Sequence, residues 1–356
     1  MPAREIAPES QREEAGSPPS KVVCVGASAG GVEALGELVS GLAPDLDAAV
    51  VIVLHLSAAS PGLLATILQR RSQLPVGAAE DLMPIRRGTV VVAQPDAHLL
   101  VHKEHFRVAR GPRENGHRPS IDALFRSAAV TWGRHSVVVV LTGALDDGAA
   151  GAAAIAAAGG TVIAQDPDDA TVPDMPRHAC ERVPDAKVAP LADIPELIAQ
   201  VVKTVTDHVA DEALHPFATT ETAIAAGAPP LAHWPGDAVA AGLSCPDCDG
   251  SLFMVPSDGY RLRCRVGHAW TYEGLAAQHD SELEAALALA ARIISDDLTV
   301  QDRLAERARD HERRFALARI DARRAEGRHL LTVLEAIIRR IGDPLAPAAE
   351  PSEQPG

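Results

Sequence analysis

The stretch Val22-Val23-Cys24-Val25-Gly26-Ala27-Ser28-Ala29-Gly30-Gly31-Val32 decides the reading of this chain. Four consecutive apolar residues describe a strand covered on both faces, and the small residues after them describe a tight turn. Val32-Glu33-Ala34-Leu35 then re-enters as a helix. Such a turn raises the Ser28 hydroxyl above the sheet edge, beside the free N–H groups of the helix start. Taken alone, it serves a nucleophile, a phosphate cradle or close helix-on-sheet packing alike.

Two further positions narrow the choice. His55 ends the run Val50-Val51-Ile52-Val53-Leu54, and Asp147 follows Val137 to Leu141 within Leu141-Thr142-Gly143-Ala144-Leu145-Asp146-Asp147-Gly148. Three apolar runs suited to the middle of a parallel sheet thus each release a polar residue just past their last apolar position. Sites in open α/β sheets assemble at the carboxyl ends of strands, so Ser28, His55 and Asp147 are expected to converge. A dinucleotide site fits less well, because Ser28 stands where the middle glycine of G-x-G-x-x-G belongs.

Strand-like runs alternate with helical stretches across 21–206, which predicts an α/β fold with a mainly parallel, doubly wound sheet. The runs are Val22–Val25, Val50–Leu54, Thr89–Ala93, Leu99–Val101, Phe106–Ala109, Val137–Thr142 and Thr161–Gln165. Those between Thr89 and Ala109 lie too close together for helical crossovers and read as an antiparallel extension. Helices are expected over Val32–Leu42, Pro61–Arg71, Ile121–Trp132, Ala149–Ala158 and Ile194–Thr206, the last capped by Asp193. Residues 1–20 and 343–356 read as disordered tails and 207–242, rich in Ala, Pro and Thr, as a linker.

Residues 243–272 carry Cys245-x2-Cys248 and, after 15 residues, Cys264-x3-His268. Four ligands of the right type flank short strand-like runs, the pattern of a zinc ribbon with a closed, structural tetrahedral site. So small a segment has too little apolar surface to fold alone, and metal binding is expected to supply its folding free energy. Chelation is then expected to unfold this segment and spare the domain at 21–206. A helical region over 273–342 follows. Its first helix is expected to open at the capping box Ser281/Glu284 and run to Gly327, before a second with Leu330, Leu334, Ile337 and Ile341 on one face. A packed hairpin is the plain reading, and self-association through it the other.

The 356 residues, 47% of them hydrophobic, suffice for several domains, and a net charge of -15 argues against nucleic-acid binding. No apolar stretch reaches membrane-spanning length and no secretory signal opens the chain, which predicts a cytoplasmic protein without membrane insertion. Cys24 and Cys180 read as inert thiols.

At Val25 to Gly31, His55, Arg118-Pro119-Ser120-Ile121-Asp122-Ala123-Leu124-Phe125-Arg126-Ser127, Leu141 to Gly148, Ala164-Gln165-Asp166 and Met175-Pro176-Arg177, the chain resembles the CheB methylesterase catalytic domain of bacterial chemotaxis. The resemblance covers roughly Lys21 to Lys203. It implies Ser28 as nucleophile, His55 as general base and acid, and Asp147 as the orienting carboxylate, with Asp146 its competitor. It also implies an oxyanion site from backbone N–H groups near Ala29 and the Gly143-Ala144 turn, and no cofactor for catalysis.

The substrate it implies is a glutamyl methyl ester on a methyl-accepting chemoreceptor, with glutamine deamidation as a side activity. A scaffold module of a chemotaxis-like system with little turnover is the alternative. Family members usually have Thr after the nucleophile, where this chain has Ala29, and Met-Gly where it has Ala144-Leu145. Many also carry a receiver domain ahead of the catalytic one. The residues before Lys21 are too few for that, so regulation is expected to come from elsewhere.

Overall fold

The computed structural model describes residues 18–204, 216–229, 239–255, 260–311 and 313–342. Residues 1–17, 343–356 and parts of the expected linker lie outside them. The chain forms two compact units, Met1–Leu275 and Ala276–Gly356.

In the first unit a seven-stranded sheet has the order β3-β4-β2-β1-β7-β8-β9. Its strands are β1 (Lys21–Ala27), β2 (Ala48–Leu54), β3 (Val76–Ala78), β4 (Thr89–Val92), β7 (Ser136–Val140), β8 (Thr161–Gln165) and β9 (Lys187–Ala189). Every pairing is parallel. Every residue of β1, β2 and β7 is buried, as runs of β-branched residues with no polar alternation require.

On one face, α1 (Gly31–Gly41), α2 (Leu64–Gln69) and α6 (Ile194–Lys203) press Leu35, Leu38, Leu68, Ile194 and Ile198 against Val23, Val50 and Val139. On the other, α3 (Ile121–Trp132), α4 (Ala149–Ala157) and α5 (Asp174–Arg182) bring Ile121, Phe125, Ile155 and Met175 onto Cys24, Val51 and Val138. The strand order reverses direction at β1, flanked by β2 and β7, so the crevice beyond its carboxyl end is where a site is to be sought.

Several local expectations are corrected. The Thr89 run pairs in parallel with β2 as β4, because the chain returns to the sheet through α2 and β3. Only β5 (His98–Val101) and β6 (Phe106–Ala109) form the antiparallel pair. Strands β3 and β9 escape the sequence reading because they are short, half-exposed edges. The Asp193 side chain makes no capping hydrogen bond to α6.

The expected linker contains a helix, α7 (Phe217–Ala225), which buries Phe217, Glu221, Ile224 and Ala225. After it, β10 (Ala240–Ser244), β11 (Ser251–Met254), β12 (Arg261–Cys264) and β13 (Ala269–Thr271) form a four-stranded antiparallel sheet. A buried ionic cluster joins these parts. Arg126 of α3 grips Glu114 through both carboxylate oxygens at 2.7 and 3.0 Å. Arg263 of β12 reaches Glu114 and Glu221 at 2.9 Å each, and Arg261 reaches Glu221 at 2.7 Å.

All five residues are at most 4% exposed. The cluster therefore tolerates the loss of none of its members, since an uncompensated buried charge costs about 3–5 kcal/mol. Glu221→Ala is expected to lower the stability of the first unit by that amount in urea unfolding. A loss under about 1 kcal/mol would mean that water already reaches the arginines.

Helices α8 (Tyr272–Asp310), whose first four residues belong to the first unit, and α9 (Arg314–Gly342) form the helical region. The first helix ends at Asp310 rather than at Gly327, and α8 starts nine residues before Ser281. Gly327 lies inside α9, where a Cβ would stand 3.0 Å from Leu298 of α8. Its smallness serves close helix packing, which a breaker reading overlooks. Arg323 pairs with Asp297 across the two helices.

Candidate active site

The three side chains released at the strand ends meet. Ser28 follows β1, and its N–H donates to the Thr142 carbonyl after β7 at 3.0 Å. His55 follows β2, and its N–H donates to the Ala27 carbonyl at 3.2 Å. Small residues permit the approach: at Gly143 a Cβ would fall 2.0 Å from Met175 Sδ and 2.8 Å from Ser28 Cβ. His55 Nδ1 lies 3.2 Å from Ser28 Oγ, and Nε2 lies 2.7 Å from Asp147 Oδ2. A carboxylate only accepts, so Nε2 carries the proton and Nδ1 offers its lone pair to the Ser28 hydroxyl.

Asp147 is held by more than His55. Its Oδ2 also accepts from the Ile121 N–H at 2.7 Å. Its Oδ1 accepts from Ser120 Oγ at 3.0 Å, the Asp122 N–H at 3.2 Å and Asn115 Nδ2 at 3.5 Å. The carboxylate thus sits on the first N–H groups of α3, where the helix dipole favours negative charge. Burial pushes its carboxyl up, but the hydrogen bond and charge of His55, with His117 and the Ile121 N–H, bring it down to about 2. Asp122, fully buried, accepts from the N–H groups of Gly148 and Gly151 at the start of α4. Burial, then the Asp147 charge, raises its carboxyl well above the usual range, leaving Asp147 as the charged member of the pair.

Asp146 points elsewhere: its Oδ1 accepts from Thr271 Oγ1 at 2.8 Å. His117 stacks on His55 with ring centroids 3.6 Å apart and planes 9° from parallel. Burial, then the His55 charge, lowers His117 to about 4, so it is neutral at working pH. Asn115 and His117 escape the sequence reading because they lie in a polar loop with no apolar period. Ser120, which caps α3, and Asp122 in its first turn, quoted above only as part of a motif, do carry a capping signature.

Among the described residues the N–H groups of Ala29 and Ala144 meet no acceptor, while that of Gly143 is spent on the Val172 carbonyl. Of the Gly143-Ala144 turn, only Ala144 keeps a free donor. Leu145, at the position where the resemblance implies a usual glycine, is left-handed with φ 61°. That conformation costs a branched residue about 1–2 kcal/mol. Leu145→Gly is therefore expected to raise stability by roughly 0.5–1 kcal/mol, read as a higher thermal midpoint. A fall would mean that the half-buried Leu145 side chain outweighs the strain.

His98 is buried, bonded to the Pro112 carbonyl and the Ser120 N–H, and so supports the loop before α3. Arg118 pairs with Asp96, Arg126 with Glu114 and Arg177 with Asp174.

Away from the triad, ligand atoms of Cys245, Cys248, Cys264 and His268 all lie within 4.8 Å of one another. The contacts Cys245 Sγ to His268 Nδ1 at 3.7 Å, Cys248 Sγ to Cys264 Sγ at 3.6 Å and Cys264 Sγ to His268 Nδ1 at 3.6 Å match tetrahedron edges. Bonds of about 2.0–2.3 Å to a central zinc give edges of that length.

Residues 23–198 match the family model described as CheB methylesterase. A Leptospira interrogans protein, provisionally named protein-glutamate methylesterase/protein-glutamine glutaminase, is 36% identical over 182 residues, which is 51% of this chain and 94% of that protein. The protein-glutamate methylesterase/protein-glutamine glutaminase of Hydrogenovibrio crunogenus is 36% identical over 202 residues, 56% of this chain and 54% of its own. The crystal structure of the Thermotoga maritima CheB methylesterase catalytic domain aligns with a TM-score of 0.49 at 32% identity, covering 51% of this chain and 98% of that one.

Residues 23–198 are thus those of a hydrolase family. The chain belongs to the CheB methylesterases. It spans about half the length of several relatives it matches, at 54% and 50% of theirs. No described helix is long and apolar enough to cross a membrane.

Proposed function

We propose that this protein hydrolyses glutamyl methyl esters on chemoreceptors, and deamidates receptor glutamines, with Ser28, His55 and Asp147 as its catalytic residues. The observation that carries the reading is the continuous chain Ser28 Oγ, His55 Nδ1 and Nε2, Asp147 Oδ2 at the carboxyl ends of adjacent parallel strands.

His55 Nδ1 takes the hydroxyl proton as Oγ attacks the ester carbonyl carbon. The oxyanion that forms is held by the N–H groups of Ala29 and Ala144. His55 returns the proton to the methoxy oxygen and methanol leaves, with Asp147 stabilising the transient imidazolium. Water then attacks the acyl-enzyme, its proton passing through Nδ1 to Ser28 Oγ, and glutamate is released. A glutamine side chain follows the same course with ammonia as the leaving group. No step calls on a cofactor. Zinc held by Cys245, Cys248, Cys264 and His268 would be structural, since four protein ligands leave no open position.

The test is methanol release from methylated receptor fragments incubated with the purified chain. Steady release at catalytic protein concentration is expected. Receptor binding without release would favour the scaffold reading instead.

A further inference from the structure

The Cys/His module is not an appendage. β13 begins directly after His268, and its outer edge holds the loop that carries Asn115 and His117. The Ala269 N–H donates to the Arg113 carbonyl at 3.1 Å, and the Ala269 carbonyl accepts from the Asn115 N–H at 2.8 Å. The Thr271 N–H donates to Asn115 Oδ1 at 2.8 Å, while Thr271 Oγ1 holds Asp146. The Trp270 ring backs Gly116, 3.4 Å from where a Cβ would lie.

Asn115 passes the grip onward, because its amide also reaches Asp147, and His117 two residues later covers the His55 ring. Asn115 itself is left-handed at φ 51°, a conformation that persists where neighbours enforce it.

We propose that the metal-loaded Cys/His module is a positioning element of the active site, with β13 setting Asn115 and His117 and, through them, Asp147 and His55. This rests on the triad reading above. It replaces the expectation that chelation spares the catalytic domain. The turn Cys264 to His268 closes the β12–β13 hairpin, and the module's own core is small, centred on Cys245, Leu252, Leu262, Cys264, Trp270 and Leu275. Removing the metal from such a segment withdraws folding free energy, so β13 frays and the loop loses its partner. Active-site displacements of about 1 Å cost on the order of a hundredfold in rate.

The experiment uses the full chain loaded with zinc, stripped by a chelator and reloaded. Two readouts are followed: amide hydrogen exchange, and covalent labelling of Ser28 by a fluorophosphonate, which reports serine activation independently of any receptor. On stripping, exchange at Asn115 is expected to quicken at least tenfold while Val23 and Val138 in β1 and β7 stay protected, and the labelling rate to fall roughly 10- to 100-fold. Reloading should restore both.

Asn115→Gly keeps the left-handed backbone and the bond to Ala269 but removes the amide between Thr271 and Asp147. With zinc still at one per chain, its maximal labelling rate should fall at least fivefold with unchanged probe affinity. Thr271→Ser should behave as the parent. Unchanged exchange at Asn115, unchanged labelling after stripping, faster labelling after stripping, or loss of protection in β1 and β7 as well would each overturn the proposal. No labelling in any form, with Asn115 exchange still zinc-dependent, would sink the triad reading and leave the module's grip on the loop standing.

Discussion

Ser28→Ala is expected to abolish ester hydrolysis, lowering turnover by about four to six orders of magnitude, the scale of nucleophile deletion in a serine triad. The fold should not notice. The Ser28 side chain's hydrogen bond is to His55 at 3.2 Å, whereas the turn is held by main chain, Ser28 N–H to Thr142 and Gly31 N–H to the Ser28 carbonyl. Alanine keeps both bonds and adds no bulk against Gly143. What survives should be the small acceleration due to the free N–H groups of Ala29 and Ala144 acting on bound ester. Methanol release and the thermal midpoint of parent and variant decide the matter. Activity within tenfold of the parent, at an unchanged midpoint, would end the case for Ser28 as nucleophile.

The three side chains of the proposed triad were legible because each follows an apolar run, in the turn where a strand stops and a polar residue stands out. Val22–Val25, Val50–Leu54 and Val137–Leu141 became β1, β2 and β7 for the same reason. What surrounds the triad was not legible. Asn115 and His117 reach it from a polar loop held at a distance of some 150 residues by Thr271, and no local period marks such a contact. The helix α7 was hidden by an alanine- and threonine-rich composition that resembles a linker, and its burial became visible only with Glu221 beneath two arginines. Gly327 misled in the opposite sense, because a glycine that admits a neighbouring helix has the same letter as one that ends a helix. The candidate metal ligands stood out because short Cys and His spacings survive without any knowledge of the sheet. Their coupling to the active site runs through main-chain bonds of β13, which no residue type advertises.

The two neighbouring aspartates separate most clearly by amidation. Asp147→Asn is expected to lower turnover by about two to four orders of magnitude, and Asp146→Asn by less than about fivefold. At position 147 an amide has no comfortable orientation. With its NH2 towards His55 it meets the Ile121 N–H, and Nε2 must become an acceptor, turning Nδ1 into a donor that cannot take the Ser28 proton. With its oxygen towards His55 the useful tautomer survives, but the NH2 then faces the Asp122 N–H, 3.2 Å from Oδ1 in the parent. Of the two, the second keeps the shorter bonds, so the main loss is the negative charge that steadies the imidazolium, rather than the tautomer alone. Either way one buried donor is left unmet, at a cost of about 1–3 kcal/mol in stability.

Position 146 has no such conflict, since an amide oxygen accepts from Thr271 Oγ1 as the carboxylate does. Burial raises Asp146 to about 6, against an ordinary carboxyl near 3.8. The folded state therefore holds this proton more tightly than the unfolded chain. Its contribution to stability is full below about pH 4 and is lost as pH rises through about 6, a change on the order of 3 kcal/mol at 1.36 kcal/mol per unit. Asp146→Asn should flatten that slope and be the more stable protein at pH 8, while Asp147→Asn should leave the slope and remove the activity. Paired urea unfolding at pH 4.5 and 8, with methanol release at pH 8, reads both effects. Should the amide at 146 be the damaging one and that at 147 silent, Asp146 is the residue that orients His55.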